Sequence, residues 1–223
     1  MRLDARIVAV LAALLGAGAP ARAQDLPSAN ARVLGVLAQL RATLRTTRYE
    51  HRTHIDARAG IVVADCSAFV AWVLQRAAPR SFAALHAYRP LAVDLWRTLA
   101  TAPTSRPRNG WLRIARVADA RPGDLLAWPR PRWFPSHNTG HTAFVVAPPV
   151  TTPDGVLVRV VDSTSIGHQD DTRAPGVTGV GEGTLLVSVD AITGEGTAYG
   201  WIGARTPPEW RIATPVRIGR AMP

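Results

Sequence analysis

The sequence has very little cysteine, no lysine and, beyond its first 23 residues, no long apolar run. Cys66 is the one cysteine among 223 residues, so an internal disulfide and a cysteine-rich zinc or iron-sulfur site are both excluded. All 26 basic residues are arginine and oppose 16 acidic residues, which gives a formal net charge of +10 at pH 7. This charge favours contact with anionic surfaces, but no recognised nucleic-acid-binding motif accompanies it. We therefore expect no nucleic-acid partner.

The first 23 residues have the pattern of a secretory signal peptide. Arg2 and Arg6 flank its start, an apolar run covers 7–19, and Ala21-Arg22-Ala23 forms an A-x-A cleavage site. The apolar run of about 13 residues is shorter than the roughly 20 that a membrane-spanning helix needs. The sequence therefore predicts cleavage near Ala23 and a secreted or periplasmic mature protein without stable membrane insertion.

Hydrophobic periodicity divides the rest of the chain into a helical half and a strand half. Apolar residues at helical spacing predict helices over 29–45, from Asp65 to Pro79 and over 91–100. Short apolar or alternating runs predict strands over 125–128, 142–146, 156–161, 185–189 and 198–203. Helices followed by strands favour an α+β domain with N-terminal helices packed on a central antiparallel β-sheet.

Cys66 is expected in the first turn of the second helix, where a thiol can be activated as a nucleophile. Asp65 precedes it in the capping position. Unpaired backbone N–H groups and the positive end of the helix dipole favour a thiolate, which predicts a thiol pKa below its ordinary value. The same N–H groups can hold a developing oxyanion. The alternative is that Cys66 is a small buried hydrophobic residue.

His141 and Asp162 are the candidates for the base and the orienting acid that a nucleophilic cysteine requires. His141 opens one predicted strand directly after the turn at 138–140, and Asp162 ends the next strand. On neighbouring antiparallel strands the two side chains would meet, and the carboxylate would hold the ring in the required tautomer. Ser163 and Thr164 are rivals of Asp162 for this third position.

Three sequence blocks resemble, in the correct order, those of the NlpC/P60 cysteine peptidases, the papain-like cell-wall hydrolases of bacteria. Asp65-Cys66-Ser67-Ala68-Phe69-Val70 is similar to the D-C-S-G-F-V nucleophile motif, with Ala68 where the family usually has glycine. Arg121-Pro-Gly-Asp-Leu-Leu126 resembles the family's P-G-D-L strand, and Gly140-His141-Thr-Ala-Phe-Val145 resembles its histidine strand. Val160-Val161-Asp162 takes the place of the third catalytic residue.

The resemblance implies a papain-like fold and a secreted cysteine hydrolase that cleaves an amide bond in peptidoglycan stem peptides. Cys66, His141 and Asp162 would be its catalytic residues, and no cofactor would be needed. The resemblance covers about residues 45–205 of a single catalytic domain over 24–223, with a helical insertion at about 79–118. Peptidoglycan or another anionic wall polymer is the expected partner, and we expect a monomer.

Three further residues are candidates for substrate binding or oxyanion stabilisation. Tyr49 takes the place of the family's upstream tyrosine, although an ordinary half-buried tyrosine is the alternative. Ser67 directly follows the nucleophile. Trp133, in an arginine- and proline-rich segment before His141, is the tryptophan most expected to be exposed to substrate.

The sequence also allows other interpretations of the histidines and of the function. The spacings of His51 with His54 and of His137 with His141 are compatible with zinc, but no helix or carboxylate frame accompanies them, so we expect no metal. His168 lies in a polar loop and is expected at the surface. The rival functions are a papain-like acyltransferase or amidase on another substrate and a noncatalytic wall-binding module.

Overall fold

The computed structural model describes residues 28–85 and 87–222, and the predicted signal peptide lies outside them. The helices are α1 (Ala29–Thr43), α2 (Cys66–Ala77), α3 (Pro79–Ala83) and α4 (Ala92–Thr101). The strands are β1 (Thr46–Arg48), β2 (His54–Asp56), β3 (Ile61–Val63), β4 (Trp111–Ile114), β5 (Leu125–Pro129), β6 (Gly140–Val145), β7 (Val150–Thr152), β8 (Gly155–Thr164), β9 (Gly179–Val189), β10 (Gly196–Gly200) and β11 (Ile212–Ala221). No helix in this part of the chain has the length and apolar character required to cross a bilayer.

The three helices predicted from periodicity are confirmed, and two of them begin at side-chain caps. Ser28 accepts a hydrogen bond from the Ala31 N–H at the start of α1, and Asp65 accepts one from the Ala68 N–H at the start of α2. Pro79 ends the second helix, as expected, because its ring cannot continue the backbone hydrogen bonding. It also occupies the first position of α3, where a missing N–H costs nothing.

Six antiparallel strands close into a barrel in the order β10-β9-β8-β6-β5-β11, with β11 paired back to β10. Ile218 of β11 lies opposite Leu126 of β5, and Val216 lies opposite Gly196 of β10. The prediction of a papain-like fold with helices on a central antiparallel sheet is therefore wrong. The physical reason is β11, a strand that the sequence pattern did not indicate and whose pairing on both sides closes the sheet.

A small sheet of β1, β3 and β2 stands beside the barrel, within the half of the chain expected to be helical. The chain leaves β3 through Ala64, whose N–H donates to the Arg48 carbonyl and whose carbonyl accepts from the Glu50 N–H. These hydrogen bonds fix the segment that leads into α2. They also hold Tyr49 close to the start of that helix.

Side chains along the barrel strands point alternately into two different apolar cores. Leu125 and Ala127 belong to a core beneath the helices, whereas Leu126 and Trp128 belong to a core inside the barrel. This alternation follows from the two-residue period of side chains along a strand. The helices thus cover part of the outer barrel surface, and α2 contacts β6 there.

Candidate active site

Cys66 is the first residue of α2, and its side chain is buried where this helix meets β6. The residue is 5% exposed, and the backbone N–H groups of Thr142 and Ser67 lie near enough to the sulfur to lower the pKa of the thiol. Thr142 directly follows His141 on β6. The strand that carries the predicted base is therefore in contact with the predicted nucleophile.

The environment of Cys66 favours the neutral thiol in the free protein. Burial raises the pKa of the Cys66 thiol, the carboxylate of Asp65 raises it further, and the N–H groups of Thr142 and Ser67 only partly oppose this. The prediction of a lowered thiol pKa is therefore wrong. Desolvation and the charge of the capping carboxylate outweigh the helix N-terminus here. A nucleophilic Cys66 consequently needs a base that removes its proton.

His141 and Asp162 meet across neighbouring strands β6 and β8. His141 Nε2 lies 2.6 Å from Asp162 Oδ2, and both side chains are buried. Because a carboxylate accepts, Nε2 donates its proton and Nδ1 of the neutral ring is left as the basic nitrogen. Ser163, one rival for the third position, instead donates to the Ala64 carbonyl at 2.6 Å, and Thr164 lines a cavity. Asp162 is the candidate that contacts the ring.

His168 also binds Asp162, so the prediction that it lies at the surface is wrong. Its Nε2 is 2.8 Å from the same Oδ2 atom and its Nδ1 is 3.2 Å from the Trp201 carbonyl oxygen. Both ring nitrogens therefore face oxygen atoms that can accept hydrogen bonds. Arg173 Nη1 lies 3.4 Å from Oδ1 of the carboxylate. Sequence reasoning missed both residues because a run of polar residues is typical of an exposed loop.

The contacts of Asp162 decide its ionisation. Burial by itself raises the pKa of a carboxyl group. At Asp162 the charges and hydrogen bonds of His168 and His141 outweigh burial and hold the pKa well below its usual range. The carboxylate therefore stays charged at neutral pH and can stabilise a protonated His141.

His141, Asp162 and His168 could also be considered as ligands of a metal, because each offers one ligand atom and these atoms lie within 4.8 Å of one another. Two histidines and a carboxylate suit zinc or iron. However, the N-to-O distances of 2.6 and 2.8 Å are those of charge-assisted hydrogen bonds. Arg173 also brings a positive charge to the same carboxylate. The arrangement fits a hydrogen-bonded network better than a cation site.

The three other predicted site residues have different environments. Tyr49 lies at the site, where burial and the charges of Cys66 and Asp65 raise the pKa of its hydroxyl. Ser67 donates from Oγ to Asp65 at 2.9 Å, and its backbone N–H lowers the pKa of the Cys66 thiol. Trp133 is 66% exposed, and its neighbour Phe134 lines the cavity beside the site instead.

A cavity of about 520 Å³ opens beside His141. Tyr49 and Thr164 contribute to its wall, and the ring centroids of Trp128 and Trp201 each lie 5.0 Å from that of His141. The wall also includes the aromatic residues Trp128, Phe134, Tyr199, Trp201 and Trp210 and the isoleucines Ile166, Ile202 and Ile212. A substrate group in this cavity would lie next to the candidate base.

No family model matches the chain, and neither a curated protein nor a solved structure shows significant similarity to it. The resemblance to NlpC/P60 peptidases thus remains an interpretation of the motif order.

Proposed function

We propose that this protein is a secreted cysteine hydrolase that cleaves an amide bond by attack of Cys66. The main support is the contact of the only thiol with the strand that carries His141, together with the 2.6 Å hydrogen bond from His141 to Asp162. A nucleophile, a base and an orienting carboxylate are the minimum set for acyl transfer to a thiol. All three side chains are buried, so they are held in fixed positions.

The reaction proceeds in two steps, acylation of Cys66 and hydrolysis of the resulting thioester. The Cys66 sulfur attacks the amide carbonyl carbon while its proton passes to Nδ1 of His141. His141 then gives this proton to the leaving nitrogen, the C–N bond breaks, and a thioester and a free amine result. Water attacks the thioester with His141 as base, which releases the carboxylic acid and restores the thiol.

Each supporting group has a defined task. Asp162 fixes the tautomer of His141 and stabilises its protonated form during both steps. The backbone N–H of Cys66 and a neighbouring donor would hold the oxyanion, since first-turn N–H groups have no partner within the helix. The raised thiol pKa implies that proton transfer to His141 accompanies the attack instead of preceding it.

Peptidoglycan stem peptides are the first class of substrate to test. The predicted signal peptide would deliver the protein to the compartment that contains them, and the net charge, +10 for the full chain and +8 without residues 1–23, favours an anionic polymer. Transfer of the acyl group to an amine instead of water uses the same thioester. Analysis of the products separates these two outcomes.

A noncatalytic wall-binding module is the second candidate function. The raised pKa of the Cys66 thiol favours it, because a neutral buried thiol is also what an inert cysteine would show. Such a module would bind wall material through its arginine-rich surface. Cosedimentation with cell wall would then be the same for the wild type and for Cys66→Ala.

The deciding experiment compares turnover of purified muropeptides and N-acyl amino acids by the wild type, Cys66→Ala and His141→Gln. We expect both variants to lose activity by about 10²-fold or more, because each removes a group required for proton transfer or attack. His137→Gln is the matched control, since this exposed histidine lies four residues from His141. Full activity of Cys66→Ala would exclude the mechanism, and a thioester adduct found by mass spectrometry would support it.

A further inference from the structure

The cavity beside His141 has a rigid apolar wall. Trp128 stacks on Tyr199 with 4.4 Å between ring centroids, and Trp201 packs edge-on against Trp128. The ring of Trp201 also contacts His168, which is held by Asp162. Stacked and buried rings form a preformed surface for an apolar group of similar size.

Arg130 is the one arginine in this wall, and the wall contains no acidic side chain among the described residues. Its Nη1 donates to the Phe134 carbonyl at 2.7 Å, but its Nε is buried without a partner. None of the ion pairs within residues 28–85 and 87–222 involves Arg130. A guanidinium without an acidic partner, in a wall whose other residues are apolar or uncharged polar groups such as Asn138 and Ser165, is suited to an anionic group of a ligand.

Strand register places Arg130 close to the candidate base. Trp128 lies opposite His141, and the Arg130 N–H continues the ladder by donating to the Thr139 carbonyl at 3.0 Å. Two residues along a strand return to the same face, about 7 Å away. Arg130 and His141 thus contribute to one cavity at a separation that an amino-acid unit can bridge.

We propose that this cavity binds an N-acyl amino acid, with the apolar acyl group against the aromatic wall and the carboxylate on Arg130. The assignment deepens the proposed function, because the amide between these two parts would then lie beside His141, the candidate base, which lines this cavity. Hydrolysis would release a carboxylic acid from the acyl side and a free amino acid. A positively charged ligand is disfavoured by Arg130, and a wholly polar peptide would leave the aromatic wall without a partner.

Binding is tested without turnover by isothermal titration calorimetry on Cys66→Ala. The probes are N-octanoylglycine, its neutral analogue N-octanoylglycinamide and the short acid N-acetylglycine. We expect N-octanoylglycine to bind about tenfold more tightly than the amide, since a charge-assisted hydrogen bond is worth roughly that factor. N-acetylglycine should bind at least about tenfold more weakly than N-octanoylglycine, because most of the buried apolar surface is missing.

Variants identify the two parts of the site. Arg130→Met in the same background should remove the preference for the acid over the amide, and Arg130→Lys should keep part of it. Arg132→Met is the matched control, because this exposed arginine lies two residues away outside the cavity wall. Trp210→Ala, at a residue that is 64% exposed on the cavity rim, should weaken both octanoyl probes equally. Thermal unfolding of each variant shows that it is folded.

The outcomes separate this inference from the proposed function. Equal affinity for acid and amide, an unchanged preference in Arg130→Met, or tighter binding of muropeptides than of N-octanoylglycine would each overturn the inference. If any of these outcomes is found, hydrolysis of a different amide by the wild type would still support the proposed function. Tight, Arg130-dependent binding with no turnover of N-octanoylglycine would support the cavity assignment and count against the hydrolase.

Discussion

At the scale of single residues, one buried carboxylate connects the two histidines of the candidate site. Asp162 accepts from His141 and His168 at the same oxygen atom, and Arg173 lies beside its other oxygen. A buried carboxylate without such partners would be neutralised or would destabilise the fold. The network therefore holds the candidate base in place and depends on Asp162 being charged.

Asp162→Asn is expected to lower the free energy of unfolding by about 3 kcal/mol at pH 7, because it removes one partner of a buried charged network. The pKa of Asp162 is lowered in the folded protein. Its contribution is thus fully present above the unfolded-state pKa of about 3.9 and is lost as the pH falls through the lowered folded-state pKa. The difference in Tm between wild type and variant, followed by circular dichroism, should shrink below about pH 4.

Asp154→Asn is the control for this measurement, because Asp154 forms an exposed ion pair with Arg211. It should change stability by less than about 1 kcal/mol. A difference between wild type and Asp162→Asn that stays constant down to pH 2 would contradict the assigned ionisation.

Asp65→Asn should make Cys66 more reactive. Burial and the charge of Asp65 raise the thiol pKa, and asparagine removes the charge while it keeps a side chain that can cap α2. We expect the midpoint of the alkylation rate against pH to lie above 8.5 to 9, the ordinary range for a thiol, in the wild type and to fall in the variant. Iodoacetamide labelling followed by mass spectrometry measures this directly, since Cys66 is the only thiol.

Asp56→Asn, at an exposed position of β2, should leave the alkylation profile unchanged. A wild-type midpoint below 8.5 would instead support the thiolate that the helix N-terminus predicts.

At the scale of secondary-structure elements, local patterns predicted the helices but not the closing strand. The caps and the apolar spacing of α1 and α2 are properties of adjacent residues and can be identified in the sequence. β11 contains Pro215 and Gly219, residues that argue against a strand interior. Its role depends on pairing with β5 and β10, which are distant in sequence. Closure of the barrel was therefore not predictable from periodicity.

For the candidate site, too, the sequence predicted the features that depend on local pattern and missed those that depend on long-range contacts. Cys66 begins α2, His141 is the second residue of β6 and Asp162 lies two residues before the end of β8, so their positions follow from local pattern, and α2 contacts both strands. His168 precedes Gln169, which bridges to Thr184 of β9, and this long-range contact buries a segment whose composition is polar. A polar composition alone could not indicate that burial.

Asp124, in the segment that resembles the P-G-D-L strand, joins three elements. Its carboxylate accepts from Arg220 Nε and Nη2 on β11, from Asn30 on α1 and from the Arg121 N–H, each at 2.8 Å. Asp124→Ala is expected to lower the free energy of unfolding by about 3 to 5 kcal/mol. Adding Arg220→Met should then cost little more, because the pair is already broken.

Urea unfolding of the single and double variants gives the coupling between Asp124 and Arg220. Asp119→Ala is the control, since this exposed acid lies five residues away. If the losses in free energy of unfolding for Asp124→Ala and Arg220→Met add up in the double variant, the ion pair does not stabilise the position of β11.

At the scale of the whole molecule, the residues of the candidate active site come from two layers that share strands. Cys66 belongs to a helix outside the barrel, whereas His141 and Asp162 belong to barrel strands. The core beneath the helices and the core inside the barrel are built by alternate residues of the same strands, as Leu125 and Leu126 show. Neither core can lose its packing without disturbing a strand that the other needs.

Leu95→Ala and Leu185→Ala test this coupling, one in the core beneath the helices and one in the core inside the barrel. Both leucines are fully buried, so each variant should lose about 2 to 5 kcal/mol. Because the cores share strands, far-UV circular dichroism and tryptophan fluorescence should give one coincident transition in both variants. Separate transitions in either variant would mean that the helical layer opens independently, and Cys66 would then become alkylated before the barrel that holds His141 unfolds.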